Sequence, residues 1–334
     1  TWSDIEYFLR QDDSELLYRF LDNRSWSNST EGRLTWTEPI GNVKNGNFFN
    51  IAYRIRYNWN NADKMTYDLP EPPNTDNFVP EEFDRVPADA IFSETLSNSF
   101  RNKFFTQELQ LGYKKVNKKY NLDAGVLFSP SMSKSEDLIN DARNIPERWV
   151  FNVSPYARFR YRFSQHSSIR ANYRARTSQP SMSQLQPVED VSDPLNIVKG
   201  NPSLKPTFTQ NIGIHFNDYR PVSQQATFLM LNASYAINSI VSKTETNPQT
   251  GGRVTTYGNV NGNLNLFGMA MINRPFRNRK WRFNARMNGR YSSTPGYING
   301  EYNRTGNLGL SPSAGLTFSC DVFQMSVNPN YSYG

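Results

Sequence analysis

The stretch Phe49–Trp59, FNIAYRIRYNW, decides the fold because it alternates strictly between two kinds of side chain. Its odd positions carry large apolar or aromatic residues, and its even positions carry asparagine, alanine or arginine. Successive side chains of a β-strand point to opposite faces of the sheet, so the two kinds lie on different faces. The pattern therefore predicts a strand with one face in an apolar environment and the other in a polar one.

The same alternation returns along the chain. Its longest copy is Trp149–Phe163, WVFNVSPYARFRYRF, which exceeds the usual strand length of globular proteins. Clear copies begin at Ile169 and Trp281, and weaker ones occupy Tyr120–Phe128 and Leu229–Ile237. No linker interrupts the series. We therefore predict an all-β chain in which residues 1–334 belong to one antiparallel domain.

The connections between these strands alternate in length. Short ones fall near Gly41–Asn47, Lys115–Lys119, Ser164–Ser168, Asn217–Gln224, Pro275–Lys280 and Cys320–Phe323. Long polar ones fall near Asp63–Ser93, Ser131–Glu147, Ser178–Pro206, Ser242–Tyr257 and Ser293–Thr305. This asymmetry is typical of transmembrane β-barrels, with turns in the periplasm and loops outside the cell. One strand on each side of every short turn gives about twelve strands of an antiparallel transmembrane barrel.

The composition supports a membrane barrel over two other classes of protein. Aromatic residues make up 14% of the chain, which suits the aromatic girdles of such barrels. A soluble β-rich binding module, the first alternative, would use strands of about five or six residues. The net charge of +7 permits a nucleic-acid partner, but arginines and aromatics on opposite faces argue against one.

The N-terminal stretch differs from the rest. In Thr1–Ser29, Ser3 and Glu6 stand where a capping box at a helix start would. Apolar residues then recur at helical spacing, namely Ile5, Phe8 and Leu9, followed by Leu16, Leu17, Phe20 and Leu21. We expect an extracellular loop with short helical turns here. We also expect the chain to be part of a longer protein, without its leader, its plug domain or the closing strand.

Residues for catalysis are not recognisable. The two histidines, His166 and His215, lack the spacing of a metal site, and Cys320 has no partner cysteine. No nucleophile stands beside a base in a known arrangement. We therefore predict no catalytic, cofactor-binding or metal-binding residues, and no enzyme.

Arginines are the most informative polar residues. They occupy the face opposite the aromatic one, which in a barrel is the lumen. Contacts with a domain that fills the barrel are one explanation, and attraction of an anionic substrate is the other. The candidate lumen-facing residues are Arg54, Arg56, Arg158, Arg160, Arg162, Arg174, Arg282 and Arg286.

One long connection carries a recognisable motif, GNPSLKP, over residues 200–206. Together with Arg176–Ser181 and Asp193–Ile197, it resembles the barrel of TonB-dependent outer-membrane receptors, in the family often joined to a carboxypeptidase-regulatory-like N-terminal domain. Prolines fix φ and remove hydrogen-bond donors, so we assign the motif a role in loop shape and no chemistry. Its residues are Gly200, Asn201, Pro202, Leu204, Lys205 and Pro206.

The resemblance implies a function and partners. The parent protein would import a bulky solute across the bacterial outer membrane through a barrel of about 22 strands. Outer-membrane lipid, TonB acting through an N-terminal plug, and a surface lipoprotein are the implied partners. A structural or adhesive barrel without transport is the alternative function.

Overall fold

The computed structural model describes residues 2–5, 15–70, 86–187, 189–190, 195–249, 251–276, 280–320 and 322–334. Those residues are built almost entirely of strands. The strands are β1 (Trp2–Ile5), β2 (Glu15–Pro39), β3 (Asn47–Asp68), β4 (Ile91–Phe92), β5 (Asn98–Val116), β6 (Tyr120–Asp137), β7 (Ile145–Arg162), β8 (Ser167–Ser178), β9 (Glu189–Asp190), β10 (Asn196–Lys199), β11 (Thr207–Arg220), β12 (Gln225–Ile237), β13 (Ser239–Thr246), β14 (Arg253–Val260), β15 (Asn263–Pro275), β16 (Trp281–Ile298), β17 (Glu301–Ser319) and β18 (Gln324–Val327).

The strands form one continuous antiparallel ladder. Neighbours pair in the order β1, β2, β3, β5, β6, β7, β8, β11, β12, β15, β16, β17, β18. From β2 onward, these are the strands that flank the short turns of the sequence. The prediction of an all-β antiparallel architecture is confirmed. Within the described residues, no helix is both long and apolar enough to span a membrane.

Short turns join the strands at one end of the sheet, as predicted. Between β2 and β3 the chain makes a 3-10 turn, Val43–Asn45, and the Asn42 side chain accepts a hydrogen bond from the Lys44 backbone N–H at 2.9 Å. Asn117–Lys119 and Pro221–Gln224 join later pairs of strands in the same way. These turns place the intervening long connections together at the opposite end.

The predicted long loops are partly wrong, because strands continue into them. Ser293–Thr305 is almost wholly strand, and a turn at Asn299 and Gly300 joins β16 to β17. Both turn residues have positive φ, 48° and 79°, as the primed turn of an Asn-Gly hairpin requires. The Asn299–Gly300 dipeptide was the sequence signal that could have predicted this hairpin. Ser131–Glu147 likewise shrinks to the few residues between Asp137 and Ile145.

The prediction of helical turns in residues 1–29 is wrong where the structure describes these residues, and their extracellular position stays a prediction. Glu15–Ser29 belong to β2, which pairs with β3 from Arg19↔Asp68 to Pro39↔Phe48. Trp2–Ile5 also form a strand, whereas residues 6–14 lie outside the described part. The hydrogen bonds that β3 offers along its edge outweigh local helical spacing, which is a weak preference that tertiary context overrides.

The segment from β12 to β15 pairs with different strands in its lower part, next to the short turns, and in its upper part. Its lower part pairs β12 with β15 and β15 with β16. Above Asn238, whose φ is 53°, the upper part pairs β13 with β14, and β13 now lies parallel to β16 through Lys243↔Tyr297. The short strands β9 and β10 extend this upper sheet from β14. The described parts of the connections Ser178–Pro206 and Ser242–Tyr257 therefore form a β-structure of their own.

Large apolar side chains lie on the outside of the sheet. Phe49, Tyr53, Ile55 and Tyr57 are each between 37% and 39% exposed, although they alternate with polar residues along β3. An apolar face that extends over many strands is unfavourable in contact with water, but it is favourable in contact with lipid. Accordingly, the buried apolar core is small and lies among the connections, where Ile145 and Leu204 pack together.

That small core organises the GNPSLKP motif. Leu204 is only 1% exposed and packs with Leu185 of a one-turn helix, Met182–Leu185. A Cβ on Gly200 would lie 2.1 Å from the backbone oxygen of Gln186, so this close approach requires glycine. The motif thus holds the long connection tightly against itself.

Asparagine side chains join the motif to the upper hairpin. Asn201 donates from Nδ2 to the backbone oxygen of Tyr257 at 2.9 Å. The Asn259 side chain accepts from the Lys205 N–H at 2.8 Å and donates to the Lys205 oxygen at 2.9 Å, as a neighbouring strand would. Pro202 and Pro206 flank these bonds and offer no donor of their own. The role of these residues in loop shape stays a prediction.

Leu204→Ala is expected to loosen this connection without unfolding the barrel. Truncating a fully buried leucine costs about 2–5 kcal/mol, and that loss falls on the small core alone. Limited proteolysis of the purified protein in detergent should therefore cut Ser178–Pro206 faster. Leu195→Ala is the matched control, because the Leu195 side chain is 38% exposed. Equal cutting of both variants would contradict the structural role of Leu204.

The two faces of β3 should differ in their tolerance of charge. Ile55→Arg places a cation on the exposed apolar face, where a lipid-facing cation near the membrane midplane costs about 2–4 kcal/mol. Arg56→Ser changes the opposite face and should assemble nearly normally. Heat-modifiable migration in gels measures the assembled fraction of each variant. Equal tolerance would show that the apolar face does not meet lipid.

Candidate functional site

The polar face of the sheet contains a hollow of about 410 Å³. We call it the arginine hollow, after the residues that dominate its wall. Its lining comes from β3, β5, β6, β7 and β8 and includes Arg54, Arg56, Arg174 and Arg176. A flat sheet would hold β3 and β8 about 19 Å apart, so residues of both strands can line one hollow only if this face is concave. The concave face of a barrel wall is its inside.

The two β3 arginines are paired with carboxylates. Arg54 donates from Nε to Oε2 of Glu108 at 2.8 Å, and its Nη1 lies 3.7 Å from Glu31. Arg56 donates to Oε2 of the same Glu31 from Nε at 2.8 Å and from Nη2 at 2.6 Å. The carboxylates come from the strands on either side, β2 and β5. This side of the hollow is close to electrically neutral.

The β8 side of the hollow is cationic. Arg174 and Arg176 form no ion pair with any residue that the structure describes. The Nε2 atom of Gln179, at the rim, is buried and has no hydrogen-bond partner among those same residues. Beside them the ladder between β7 and β8 stops at Tyr156↔Arg174. The hollow therefore offers donors that an anion or a carbonyl oxygen would satisfy.

Three predicted arginines of β7 lie closer to the short turns. Arg158 is 3.8 Å from Oδ2 of Asp123, and Arg162 donates to the Lys118 backbone oxygen at 3.4 Å. Arg160 stands directly opposite Arg170 of β8, and its buried Nε finds no partner in the described chain. Like charges directly opposite each other on adjacent strands are unfavourable. A second concentration of positive charge thus lies below the hollow.

The remaining predicted arginines do not reach the hollow. Arg282 and Arg286 lie on β16, several strands away from β8. Following the register from Arg162 across the sheet leads to Arg286, which places both on the same face. The Arg286 Nη2 atom is 3.9 Å from the sulfur of Met271. These residues continue the polar face without joining the cluster.

The sequence alone did not identify Glu31 and Glu108, the acidic partners of the arginines, or the side-chain amide of Gln179. Glu31 and Glu108 stand at polar positions of alternating strands, a signal that marks their face but not the arginine each will meet. Which carboxylate meets which arginine depends on register, as in Arg54↔Glu108. Gln179 follows the end of β8 and carries no pattern. These three residues are visible as part of the site only in the folded sheet.

The hollow is lined mainly by hydrogen-bonding side chains. Across the described ranges, no group of three or more histidine, cysteine, aspartate or glutamate residues is arranged to hold a metal ion. What the hollow presents is a set of fixed hydrogen-bond donors on a rigid wall. Planar guanidinium groups bind carboxylate, phosphate and carbonyl oxygens in directed pairs.

Comparison with known proteins places the fold. The copper transporter OprC superposes with a TM-score of 0.53 at 13% identity, over 92% of this chain and 43% of its own. The Serratia marcescens hemophore receptor HasR, solved with HasA and heme, gives 0.54 at 12% identity, over 96% and 53%. The chain thus spans about half the length of these structures. No curated protein matches it.

A match to a family model shows to which protein family the chain belongs. The model of the outer membrane protein beta-barrel family matches residues 4–333, which is almost the whole chain. The resemblance to a TonB-dependent receptor barrel is confirmed at the level of the fold. The joined carboxypeptidase-regulatory-like domain stays a prediction. The exposed apolar face, the concave polar face and this match lead to one conclusion: the chain belongs to the outer membrane protein beta-barrel family and forms part of a barrel in the bacterial outer membrane.

Proposed function

We propose that this chain is part of the wall of a TonB-dependent receptor that imports a bulky solute across the outer membrane. The arginine hollow is the observation that carries the proposal, because it puts unpaired cations and a buried amide donor on the concave face. A wall that only anchored the protein would not need them. The structural neighbours are receptors and transporters, which is consistent with this role.

We propose a plug domain as the main occupant of the concave face. Charged groups that line a narrow, partly dehydrated lumen need partners, since an unpaired buried charge is costly. The β3 arginines find theirs within the wall, whereas Arg174 and Arg176 would meet carboxylates and carbonyl oxygens of the plug. TonB would act on that plug from the periplasm. An anionic solute that passes the same cations is the second use of the hollow.

A structural or adhesive barrel without transport is the competing function. It would share the lipid-facing surface and the ordered outer connections, so neither feature separates the two. The arginine hollow favours transport, because adhesion requires nothing of the concave face. A soluble binding module is disfavoured by the family membership and by the exposed apolar face.

The proposal predicts an anion-preferring channel once the plug is removed. In planar bilayers the full-length protein should conduct little, whereas a version without its plug should conduct and favour anions over cations. Reversal potentials in a salt gradient measure this preference. A cation preference in the open channel would refute the placement of these arginines in the lumen.

The charge of the hollow should set that preference. In the plug-free protein, Arg174→Glu with Arg176→Glu should shift the reversal potential toward cations. Lys118→Glu is the control, because it changes one exposed cation in a short turn outside the hollow. If both variants shifted the potential equally, the hollow would not border the conduction path.

The orientation of the barrel should follow the lengths of its connections. An epitope tag at Gly251, in the turn between β13 and β14, should bind antibody on intact cells, because long connections face the exterior. A tag at Val222, in a short turn and 84% exposed, should bind only after the outer membrane is broken. The reverse labelling would overturn the assignment of the two ends.

A further inference from the structure

The apolar face carries a second hollow, of about 720 Å³. We call it the glycine hollow, because Gly268 of β15 and Gly289 of β16 stand directly opposite each other at its floor. Leu231 flanks Gly268 on β12, and Leu310 flanks Gly289 on β17. The remaining lining residues on this face are leucine, isoleucine, methionine, alanine and aromatic side chains. The hollow opens on the side of the sheet that meets lipid.

Backbone geometry does not require glycine at the floor. Neither Gly268 nor Gly289 has a positive φ. A Cβ on Gly268 would meet nothing closer than 4.0 Å, and one on Gly289 would lie 3.4 Å from a Leu310 side-chain carbon. Glycine in a strand interior weakens the strand and often marks close approach by another group. The pair therefore leaves an open space that larger side chains would fill.

Two cations stand above the glycine hollow on the same face. Odd positions of β16 share the face of Gly289, and among them Pro295 is paired with Arg304 and Tyr297 with Lys243. Arg304 is exposed, and it donates from Nε to Ser293 at 2.6 Å and from Nη2 to the Gly262 oxygen at 3.2 Å. These bonds orient its guanidinium, and Nη1 forms no hydrogen bond with the described residues.

The second cation lies at an aromatic ring. The Nζ atom of Lys243 is 4.4 Å from the centre of the Tyr297 ring, which packs edge-on against Tyr302 at 5.9 Å. Tyrosines of this kind mark the level of lipid headgroups in barrels. Glu245, a carboxylate of β13, lies two residues beyond Lys243 in the direction away from the glycine hollow. Lys243 and Arg304 thus form a cationic pair at the edge of the apolar band.

The spacing of these features matches one leaflet of a membrane. Six residues separate Gly289 from Pro295, which is about 20 Å along a strand and about 15 Å along the membrane normal at a tilt of about 40°. Half of the apolar band of an outer-membrane barrel is about 12 Å, so side chains about 15 Å from its centre stand just beyond its edge. The glycine floor therefore lies near the midplane when the cations lie at the headgroups.

We propose that this face binds a phosphorylated glycolipid of the outer leaflet. One acyl chain fills the glycine hollow, while a phosphate group accepts hydrogen bonds from Arg304 and Lys243. The volume suits a chain segment, and the charge suits a phosphate. A glycerophospholipid offers the same chemistry, but the leaflet next to the long connections consists mainly of glycolipid. The proposal rests on the orientation of the barrel and not on transport.

Lipid that co-purifies with the full-length protein tests the proposal. After extraction in mild detergent, hydroxylated fatty acids report the glycolipid, and glycerol phosphate reports glycerophospholipid. Gly268→Leu with Gly289→Leu fills the hollow, and Lys243→Gln with Arg304→Gln removes the charge. Each pair should lower the bound glycolipid about tenfold, as expected for loss of one or two such contacts. Heat-modifiable migration verifies that each variant is assembled.

Gly32→Leu is the matched control. Gly32 lies opposite Ile55 on the same apolar face of the wall, away from the hollow, and a Cβ there has room at 3.4 Å. It should keep the bound glycolipid. Delipidated protein should also bind added bisphosphorylated glycolipid about tenfold more tightly than its dephosphorylated form.

Three results would overturn the proposal. The first is wild-type protein without glycolipid, and the second is equal loss in Gly32→Leu. The third is glycerophospholipid in place of glycolipid, which together with reversed epitope labelling would assign the face to the inner leaflet. Because the assay measures lipid alone, a failure of the channel experiments would leave its outcome unchanged, so the two proposals fail separately.

Discussion

The structure depends on one constraint, the need of every backbone N–H and C=O within lipid to find a partner inside the protein. A strand meets that need only through neighbours on both sides. The continuous ladder supplies them for the strands that lie between β2 and β17, and its period of two then dictates where every side chain points. Apolar residues such as Ile55 must face lipid, while Arg54 and Arg56 have no place but the other face. Curvature of the same ladder makes that second face concave.

This constraint separates two kinds of electrostatic environment. On the polar face, Arg54 and Arg56 pair with Glu31 and Glu108 from adjacent strands, whereas Arg174 and Arg176 form no ion pair with any residue that the structure describes. On the apolar face, the cations Lys243 and Arg304 stand at one edge of an apolar surface. A cation in lipid would find neither a counter-charge nor water, so the polar face is the favourable place for most of these arginines.

Outside the lipid region, contacts between protein side chains stabilise the structure. The connections at the outer end are ordered by a small core around Leu204 and by asparagine side chains that replace missing strand neighbours. Gly200 is needed because Gln186 approaches too closely for a Cβ. Strands that cross the membrane continue into this region and end in tight turns such as Asn299–Gly300, so much of the outer end is sheet rather than loop.

The sequence by itself determined the fold class, the strand faces and the positions of the short turns, because alternation from Phe49 to Trp59 and its copies is a local property of strands. It also singled out the arginines and the GNPSLKP motif as candidate residues. It misled at Glu15–Ser29, where helical spacing competed with an edge offered by β3, and at Ser293–Thr305, where polar residues outside lipid also form strands. Only the tertiary structure decided that Arg54, Arg56 and Arg174 share one hollow with Glu108, or that Gly268 faces Gly289. Those relations depend on register and curvature, which arise from hydrogen bonds between strands far apart in the chain.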